Sequence, residues 1–176
     1  MPALKSTVAA ALIVLALGAP SAQTITVAMA QNASAPESAV IMSKNVEDEI
    51  LGIMFDRGYI VSTAELALAD DGFAAPNFAV KEAAFGMSDY LIAVNVKYGA
   101  DEIKDSEKNV SYARILSLDW KLVRVSNPLI LASGTVRPER TTILDQDPYG
   151  DARRLIDGVY PSIEKALGEA KKGGIR

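Results

Sequence analysis

Residues 112–137 read YARILSLDWKLVRVSNPLILASGTVR, and this stretch decides the fold. In its first half apolar and polar residues alternate, with Leu116, Leu118, Trp120 and Leu122 on one side and Ser117, Asp119 and Lys121 on the other. Successive side chains of a strand point to opposite faces of a sheet, so a period of two predicts a half-buried strand. A turn at residues 126–128 and a second β-rich run at residues 129–136 complete an antiparallel hairpin.

The first thirty residues predict a secretory signal peptide. Lys5 provides a positive start, residues 8–17 form an apolar run, and Ala28-Met29-Ala30 matches the A-x-A cleavage pattern. The run has about ten residues, whereas a membrane-spanning helix needs roughly 20. We therefore expect cleavage after Ala30, which leaves no integral membrane span. An uncleaved anchor is the alternative, and Pro20-Ser21-Ala22 is a second, weaker cleavage point because proline stands three residues before the cut.

The rest of the chain is predicted to form one domain. The chain has 176 residues, enough for one domain with its own core. We expect residues 31–38 to be a flexible mature N-terminus, residues 39–172 a single α/β domain, and residues 173–176 a C-terminal tail.

The composition excludes several functions. The sequence contains no cysteine and no histidine. The chain therefore cannot form a disulfide scaffold or carry a lipoprotein cysteine. It also lacks the residues for Ser-His-Asp or Cys-His catalysis, and it lacks histidine, the commonest metal ligand. The net charge is −4 and no cluster of Lys and Arg is present, which argues against nucleic acid as a partner. We predict no enzyme activity, no metal and no cofactor.

The first half of the domain is predicted to alternate strands and helices. A short apolar run at residues 39–42 indicates a first strand. Residues 45–57 carry an apolar stripe at helical spacing, with Asn45 as N-cap and Gly58 as the residue that ends the helix. A second strand is expected from Tyr59 to Thr63.

The second half continues the pattern and adds the hairpin. We predict a helix over residues 76–85 and a strand over residues 90–98. Residues 99–109 are charged and read as a solvated loop, and residues 151–171 as a helix with Pro161 inside it. The order β-α-β-α-β-β-β-α predicts an α/β fold in which helices pack on a single mixed sheet.

Few residues are candidates for a functional site. Trp120, Phe55 and Phe78 are predicted to line an apolar pocket between sheet and helices, although an aromatic residue on the apolar face of a strand usually belongs to the core. The acidic residues of the charged loop, with Asp145 and Asp147, would be needed by a carboxylate-only hydrolase, the third hypothesis. Asp145 and Asp147 also resemble the start of a calcium loop, but its twelfth position is Ile156, which cannot ligate calcium.

The hairpin phrase at residues 119–136 resembles that of bacterial envelope proteins related to the curli-secretion protein CsgG, a structural group that includes the TolB N-terminal domain and LpoB. Residues 51–61 and 78–94 resemble the helix–strand phrases of the same group. The resemblance implies a periplasmic, non-enzymatic domain that contacts other envelope proteins. It carries over no functional residue, and this chain has no cysteine to bear the lipid that some members carry.

The leading hypothesis is an exported, non-enzymatic interaction or accessory domain of a bacterial cell envelope assembly for secretion, wall synthesis or motility. The predicted partners are other envelope proteins, and a homo-oligomer of this chain is one predicted form of the assembly. The exposed edge of the sheet is the candidate partner surface, because unpaired backbone groups accept a strand. The alternative is a periplasmic small-ligand-binding protein that uses the apolar pocket.

Overall fold

The computed structural model describes residues 22–68, 72–75, 77–105, 110–138 and 148–173. Six strands and three helices occur in these ranges, with a short 3-10 turn at Gly72–Ala74. In chain order the elements are β1 (Thr24–Gln31), α1 (Ala39–Asp56), β2 (Ile60–Thr63), β3 (Ala67–Leu68), α2 (Val80–Phe85), β4 (Tyr90–Asp105), β5 (Val110–Arg124), β6 (Leu129–Val136) and α3 (Pro148–Gly173).

All six strands form one mixed sheet in the order β2-β1-β4-β5-β6, with β3 also paired to β1. β1 runs parallel to β2, β3 and β4, while β4, β5 and β6 are antiparallel neighbours. The predicted α/β fold with a single mixed sheet is confirmed. The β5–β6 hairpin is confirmed as well, with Trp120 opposite Gly134 in the register.

The two faces of the sheet are covered unequally. On one, called here the helical face, α1 and α3 pack over alternate strand residues such as Val27, Ile92 and Leu122, each fully buried. The opposite, thin face carries a smaller core that includes Leu91 and Val123. Within the described residues, α2, the 3-10 turn and their neighbours pack on this thin face. The helical face therefore holds most of the hydrophobic burial that stabilises the domain.

The sheet corrects the predicted start of the domain. Residues 24–31 form β1, which lies between β2 and β4, and seven of its eight residues are buried. The described sheet thus starts at Thr24, before the predicted start of the domain at residue 39. A cut after Ala30 falls inside this strand and would separate β2 from β4. Consecutive small apolar residues suit a central parallel strand as well as a cleavage pattern.

α1 also differs from its prediction. It begins at Ala39, so residues 39–42 are its first turn and not a strand, and Asn45 lies inside the helix as a buried residue. The predicted order holds approximately, because β1 takes the place of that first strand and β3 is an additional short strand. Gly58 has a φ of 81°, in the left-handed region that glycine tolerates, and β2 follows from Ile60, as expected.

The charged stretch after residue 98 is not simply a loop. β4 continues to Asp105 and β5 starts at Val110, so the two strands extend beyond the rest of the sheet as a two-stranded arm. The register shifts twice between Lys97 and Glu102, which is the mark of a bulge. Residues 106–109 lie outside the described residues.

Two helices have different lengths from those predicted. α2 covers only Val80–Phe85, whereas the prediction began at residue 76, which lies outside the described residues. Gly86 follows as its C-cap. α3 spans Pro148–Gly173 as one helix that includes Pro161, and Lys171 and Lys172 lie in its last turn.

Candidate functional site

The three aromatic residues proposed as a pocket do not meet. Trp120 is 5% exposed in the core of the helical face, where it packs on Gly134. Phe55 projects from α1 with 69% of its surface exposed. Phe78 lies across the sheet on the thin face, with its ring centroid 5.8 Å from that of Phe73. The sheet and α1 therefore separate the three side chains.

A small cavity does lie between α1, α3 and the sheet, lined by apolar residues that include Ile50, Val94 and Ile163. None of the three aromatic residues lines it. Its volume is about 10 Å³, which holds about one water molecule. Sites for small organic ligands span roughly 300–1,000 Å³. The cavity is thus a packing gap, too small for the ligand that the binding alternative requires.

Lys121 shows an arrangement that sequence reasoning missed. It stands on the thin face, is only 4% exposed, and donates from Nζ to the carbonyl oxygens of Phe73 at 2.8 Å and Ala75 at 2.7 Å. The same ammonium lies 4.8 Å from the ring centroid of Phe73 and 5.6 Å from that of Phe78. One lysine thus ties the covering segment, residues 72–75 and 77–79, to the centre of the sheet.

The charge state of Lys121 reflects two opposing effects. Burial lowers the pKa of the ammonium, because removal from water disfavours the charged form. The two carbonyl oxygens and the negative faces of the two rings favour the charged form. All these contacts serve the chain itself, so we assign Lys121 a structural role as a clamp.

Two acidic residues of the charged stretch, Asp101 and Glu102, have polar partners of their own. Asp101 pairs with Arg114 at 3.0 Å, and Glu102 accepts a hydrogen bond from Ser38 at 2.6 Å, both on the arm. Within the described ranges, no group of three or more acidic side chains is placed to hold a metal ion. Asp145, Asp147 and Glu107 lie outside the described residues. In the described part of the chain, Asp101 and Glu102 each contact a group other than a second carboxylate.

A buried polar cluster joins α1 to the sheet. The Ser43 hydroxyl donates to Gln31 Oε1 at 2.7 Å and lies 2.9 Å from the Tyr98 hydroxyl. All three residues are at most 3% exposed. Burial raises the pKa of the Tyr98 phenol, so it stays neutral at physiological pH. These hydrogen bonds fix the position of α1 on β1 and β4.

The outer edge of β6 is the candidate functional site. β6 pairs with β5 on one side, and no described strand pairs with its other side. Its eight residues, LILASGTV, contain neither a charge nor a proline. Leu129 and Ile130 at its start are 52% and 46% exposed. Such an edge presents backbone N–H and C=O groups to solvent together with apolar side chains.

The chain is a single-sheet α/β protein, and it belongs to a family described as "Uncharacterised protein", whose model matches residues 24–148. That match includes β1 and the edge strand β6. No curated protein matches the chain. No helix in the described part of the chain combines the length and the apolar character needed to cross a membrane.

Several solved structures are similar to this chain at low identity. The PelC dodecamer from Paraburkholderia phytofirmans is 13% identical, with a TM-score of 0.44 over 79% of this chain and 89% of that chain. A neuraminyllactose-binding hemagglutinin homolog from Helicobacter pylori is 12% identical, with a TM-score of 0.49 over 88% of this chain and 90% of that chain. The LpoB C-terminal domain from Salmonella enterica is 9% identical, with a TM-score of 0.41 over 74% of this chain and 92% of that chain.

These likenesses all have TM-scores below 0.5 and carry no argument about this chain. LpoB, which the resemblance named, is among the similar structures. The parts that concern CsgG and TolB stay predictions. At such TM-scores no conclusion on function passes from these proteins to this chain.

Proposed function

We propose that this chain is an exported, non-enzymatic interaction domain of a bacterial cell envelope assembly, and that it binds an extended segment of a partner protein along β6. The edge of β6 carries the proposal. Natural sheets protect such edges with charges, prolines or very short strands. β6 has none of these within its eight residues.

Strand addition suits the chemistry of this edge. A partner segment in extended conformation supplies backbone partners along β6, and apolar side chains of that segment pack beside Leu129 and Ile130. The described part of the chain supports binding better than catalysis. Its acidic groups are scattered, its one buried lysine is a clamp, and the sequence has no histidine or cysteine.

The N-terminal segment supports export to the periplasm. Residues 8–17 provide the apolar run of a signal, and the sheet starts at Thr24. A cut after Ala30 would remove most of β1. We therefore favour cleavage after Ala22, the second of the two patterns, because it leaves the whole strand in the mature protein. Sequencing the N-terminus of the protein exported by its source bacterium tests this, with Gln23 as the expected first residue.

Site-specific photocrosslinking in the source bacterium tests the β6 edge. A photoreactive amino acid replaces Ser133, which is exposed on β6, and in a matched control replaces Ser126, which is exposed in the turn before β6. We expect a discrete crosslinked species from position 133 and none from position 126. Its mass distinguishes a foreign partner from a second copy of this chain.

A second substitution shows whether the crosslink depends on strand pairing. Ser133→Lys places at the edge the charge that sheets use to prevent pairing. In this variant, with the photoreactive group moved to Thr135, the crosslink should fall at least fivefold, while Ser126→Lys should leave it unchanged. If position 133 yields nothing, or if positions 133 and 126 yield the same products, β6 is not the binding edge.

A further inference from the structure

Both predicted cleavage patterns place a glutamine directly after the cut. Gln31 follows Ala30 in the first pattern, and Gln23 follows Ala22 in the second. A glutamine at a free N-terminus carries an α-amine and a side-chain amide that can join into a five-membered lactam. Such a ring closes readily because both reacting groups belong to one residue. The two glutamines differ in how the fold holds their amides, and this difference decides which of them reacts.

The amide of Gln31 is fixed in the core. Gln31 is 3% exposed at the end of β1, and its Oε1 accepts a hydrogen bond from the Ser43 hydroxyl at 2.7 Å. Its nitrogen becomes a free amine only after a cut that removes most of β1. A lactam at Gln31 is therefore incompatible with the fold.

The side-chain amide of Gln23 is held weakly. Its Nε2 lies 3.5 Å from the Tyr90 hydroxyl, which is at the limit of a hydrogen bond. Its Oε1 is buried and has no hydrogen-bond partner in the described part of the chain. A buried acceptor without a partner costs about 1–3 kcal/mol. A reaction that moves this amide therefore breaks no strong contact.

The backbone that follows Gln23 is fixed in the sheet. The carbonyl oxygen of Gln23 accepts the N–H of Ile60 at 3.0 Å, and the N–H of Thr24 donates to Asp89 Oδ2 at 2.9 Å. Ala22, which the cut removes, is exposed, so the amine that the cut creates lies at the surface. Lactam formation changes only this amine and the side chain, and the pairing of β1 stays as it is.

We propose that the mature chain begins with pyroglutamate, formed from Gln23 after cleavage behind Ala22. The proposal rests on the export and the cut proposed above but not on the β6 edge. An α-amine has a pKa of about 7.7–8.0, so part of it is neutral and nucleophilic near neutral pH. Its nitrogen forms a bond to Cδ of the amide, and the Cδ–Nε2 bond breaks. Nε2 then leaves as ammonia with a proton from the amine, so the reaction needs no second reactant.

The lactam protects the strand that joins the sheet. Chain termini are preferred sites of proteolysis, and an aminopeptidase requires a free α-amine. Only Gln23 separates the proposed cut from Thr24, the first residue of β1. Because β1 lies between β2 and β4, removal of its residues would divide the sheet. The ring removes both the amine and its positive charge.

Mass spectrometry of the mature protein from its source bacterium tests the modification. Digestion after lysine gives an N-terminal peptide of residues 23–44. We expect at least half of this peptide to be lighter than the unmodified peptide by one ammonia. A synthetic peptide of the same sequence, carried through the same steps, measures cyclisation during handling, which should stay below a tenth. Gln23→Asn is the matched control, because its shorter side chain would have to close a strained four-membered ring.

An aminopeptidase tests the protection. It should release at least twofold more of the first residue from the folded Gln23→Asn chain than from the folded parent. Gln23 lies outside β1, so the substitution keeps the fold. Equal release from the two chains, or release from neither, would show that the lactam does not protect β1.

The mass of the N-terminal peptide also separates the two proposals. A peptide that begins at Gln23 with the unmodified mass, or with no more lactam than the synthetic peptide, would overturn the modification and leave the cut standing. A peptide that begins at any other residue would overturn the cut and the modification together. None of these results bears on crosslinking at Ser133.

Discussion

Replacing Lys121 by methionine tests how the thin face of the sheet is held. Methionine keeps most of the length and volume of the lysine side chain, so the change removes the ammonium and little packing. It removes two hydrogen bonds, at 2.8 Å to the Phe73 carbonyl and 2.7 Å to the Ala75 carbonyl. It also removes the cation–π contacts with the rings of Phe73 and Phe78.

The magnitude follows from these contacts and from one opposing effect. A hydrogen bond made by a charged group contributes about 1.5–3 kcal/mol, so two contribute roughly 3–6 kcal/mol. Removal of a buried charge returns part of its desolvation penalty, which is several kcal/mol in protein interiors. We therefore expect Lys121→Met to destabilise the packing of residues 72–75 and 77–79 on the sheet by about 2–4 kcal/mol.

Amide hydrogen exchange measures this locally. Ala83 N–H donates to the Ala79 carbonyl oxygen next to the clamp, so its exchange rate reports opening of this cover. A loss of about 2–4 kcal/mol accelerates exchange by roughly 30- to 1,000-fold, at tenfold for each 1.4 kcal/mol. Amides of β1 and β4, buried under α1 and α3, should change much less, because the helical face does not depend on the clamp.

Lys97→Met is the matched control. Lys97 lies on the same face of the neighbouring strand β4, but its side chain is 52% exposed and pairs with Asp119 at 3.0 Å. An exposed ion pair contributes about 0–1 kcal/mol. The clamp reasoning fails if Lys121→Met changes exchange at Ala83 no more than Lys97→Met does. It fails equally if Lys121→Met raises the free energy of unfolding, since desolvation would then outweigh the bonds.

Three further predictions concern other parts of the fold. Gly134→Ala places a Cβ 3.0 Å from Trp120 Nε1 and should lower the free energy of unfolding in urea by about 1–3 kcal/mol; Gly168→Ala, whose Cβ meets nothing within 4 Å, should not lower it. Met87→Gly relieves the φ of 54° and should raise that free energy by roughly 1 kcal/mol, while Met87→Ala should not. Burial and the Glu164 carboxylate raise the pKa of Tyr160 to about 12. Because the phenol of the unfolded chain loses its proton first, near pH 10, the free energy of unfolding should fall between about pH 10 and 12. Tyr160→Phe should flatten this fall, which urea titrations at several pH values measure.

The parts of the fold that sequence predicted are those where one face of an element is buried. Apolar and polar residues alternate along β5 because Leu118, Trp120 and Leu122 are buried on the helical face. α3 shows its stripe for the same reason. In such elements burial and periodicity carry the same information, so a single sequence suffices. The mixed sheet and its order followed from these elements.

The parts that sequence missed depend on long-range contacts. β1 is covered on both faces, so its residues do not alternate with polar ones, and its alanines matched a cleavage pattern instead. The arm buries few residues, Ala113 and Ile115 among them, and its charged residues resemble a loop although they pair across β4 and β5. Lys121 occupies a polar position in the alternation, and only the segment that crosses above it makes it buried.

The position of β1 limits where the predicted signal can be cut without loss of the fold. β1 is the first element of the domain, yet it is paired on both sides, with β2 and β4. Neither pairing exists without it, so β2 and the antiparallel strands join into one sheet only when residues 24–31 are present and free to pair. The apolar run predicted as a signal, residues 8–17, precedes this strand in the sequence. A signal cut that preserved the fold must therefore fall between the apolar run and Thr24, whereas a cut after Ala30 would leave α1 and α3 over a sheet without the strand that joins its two parts.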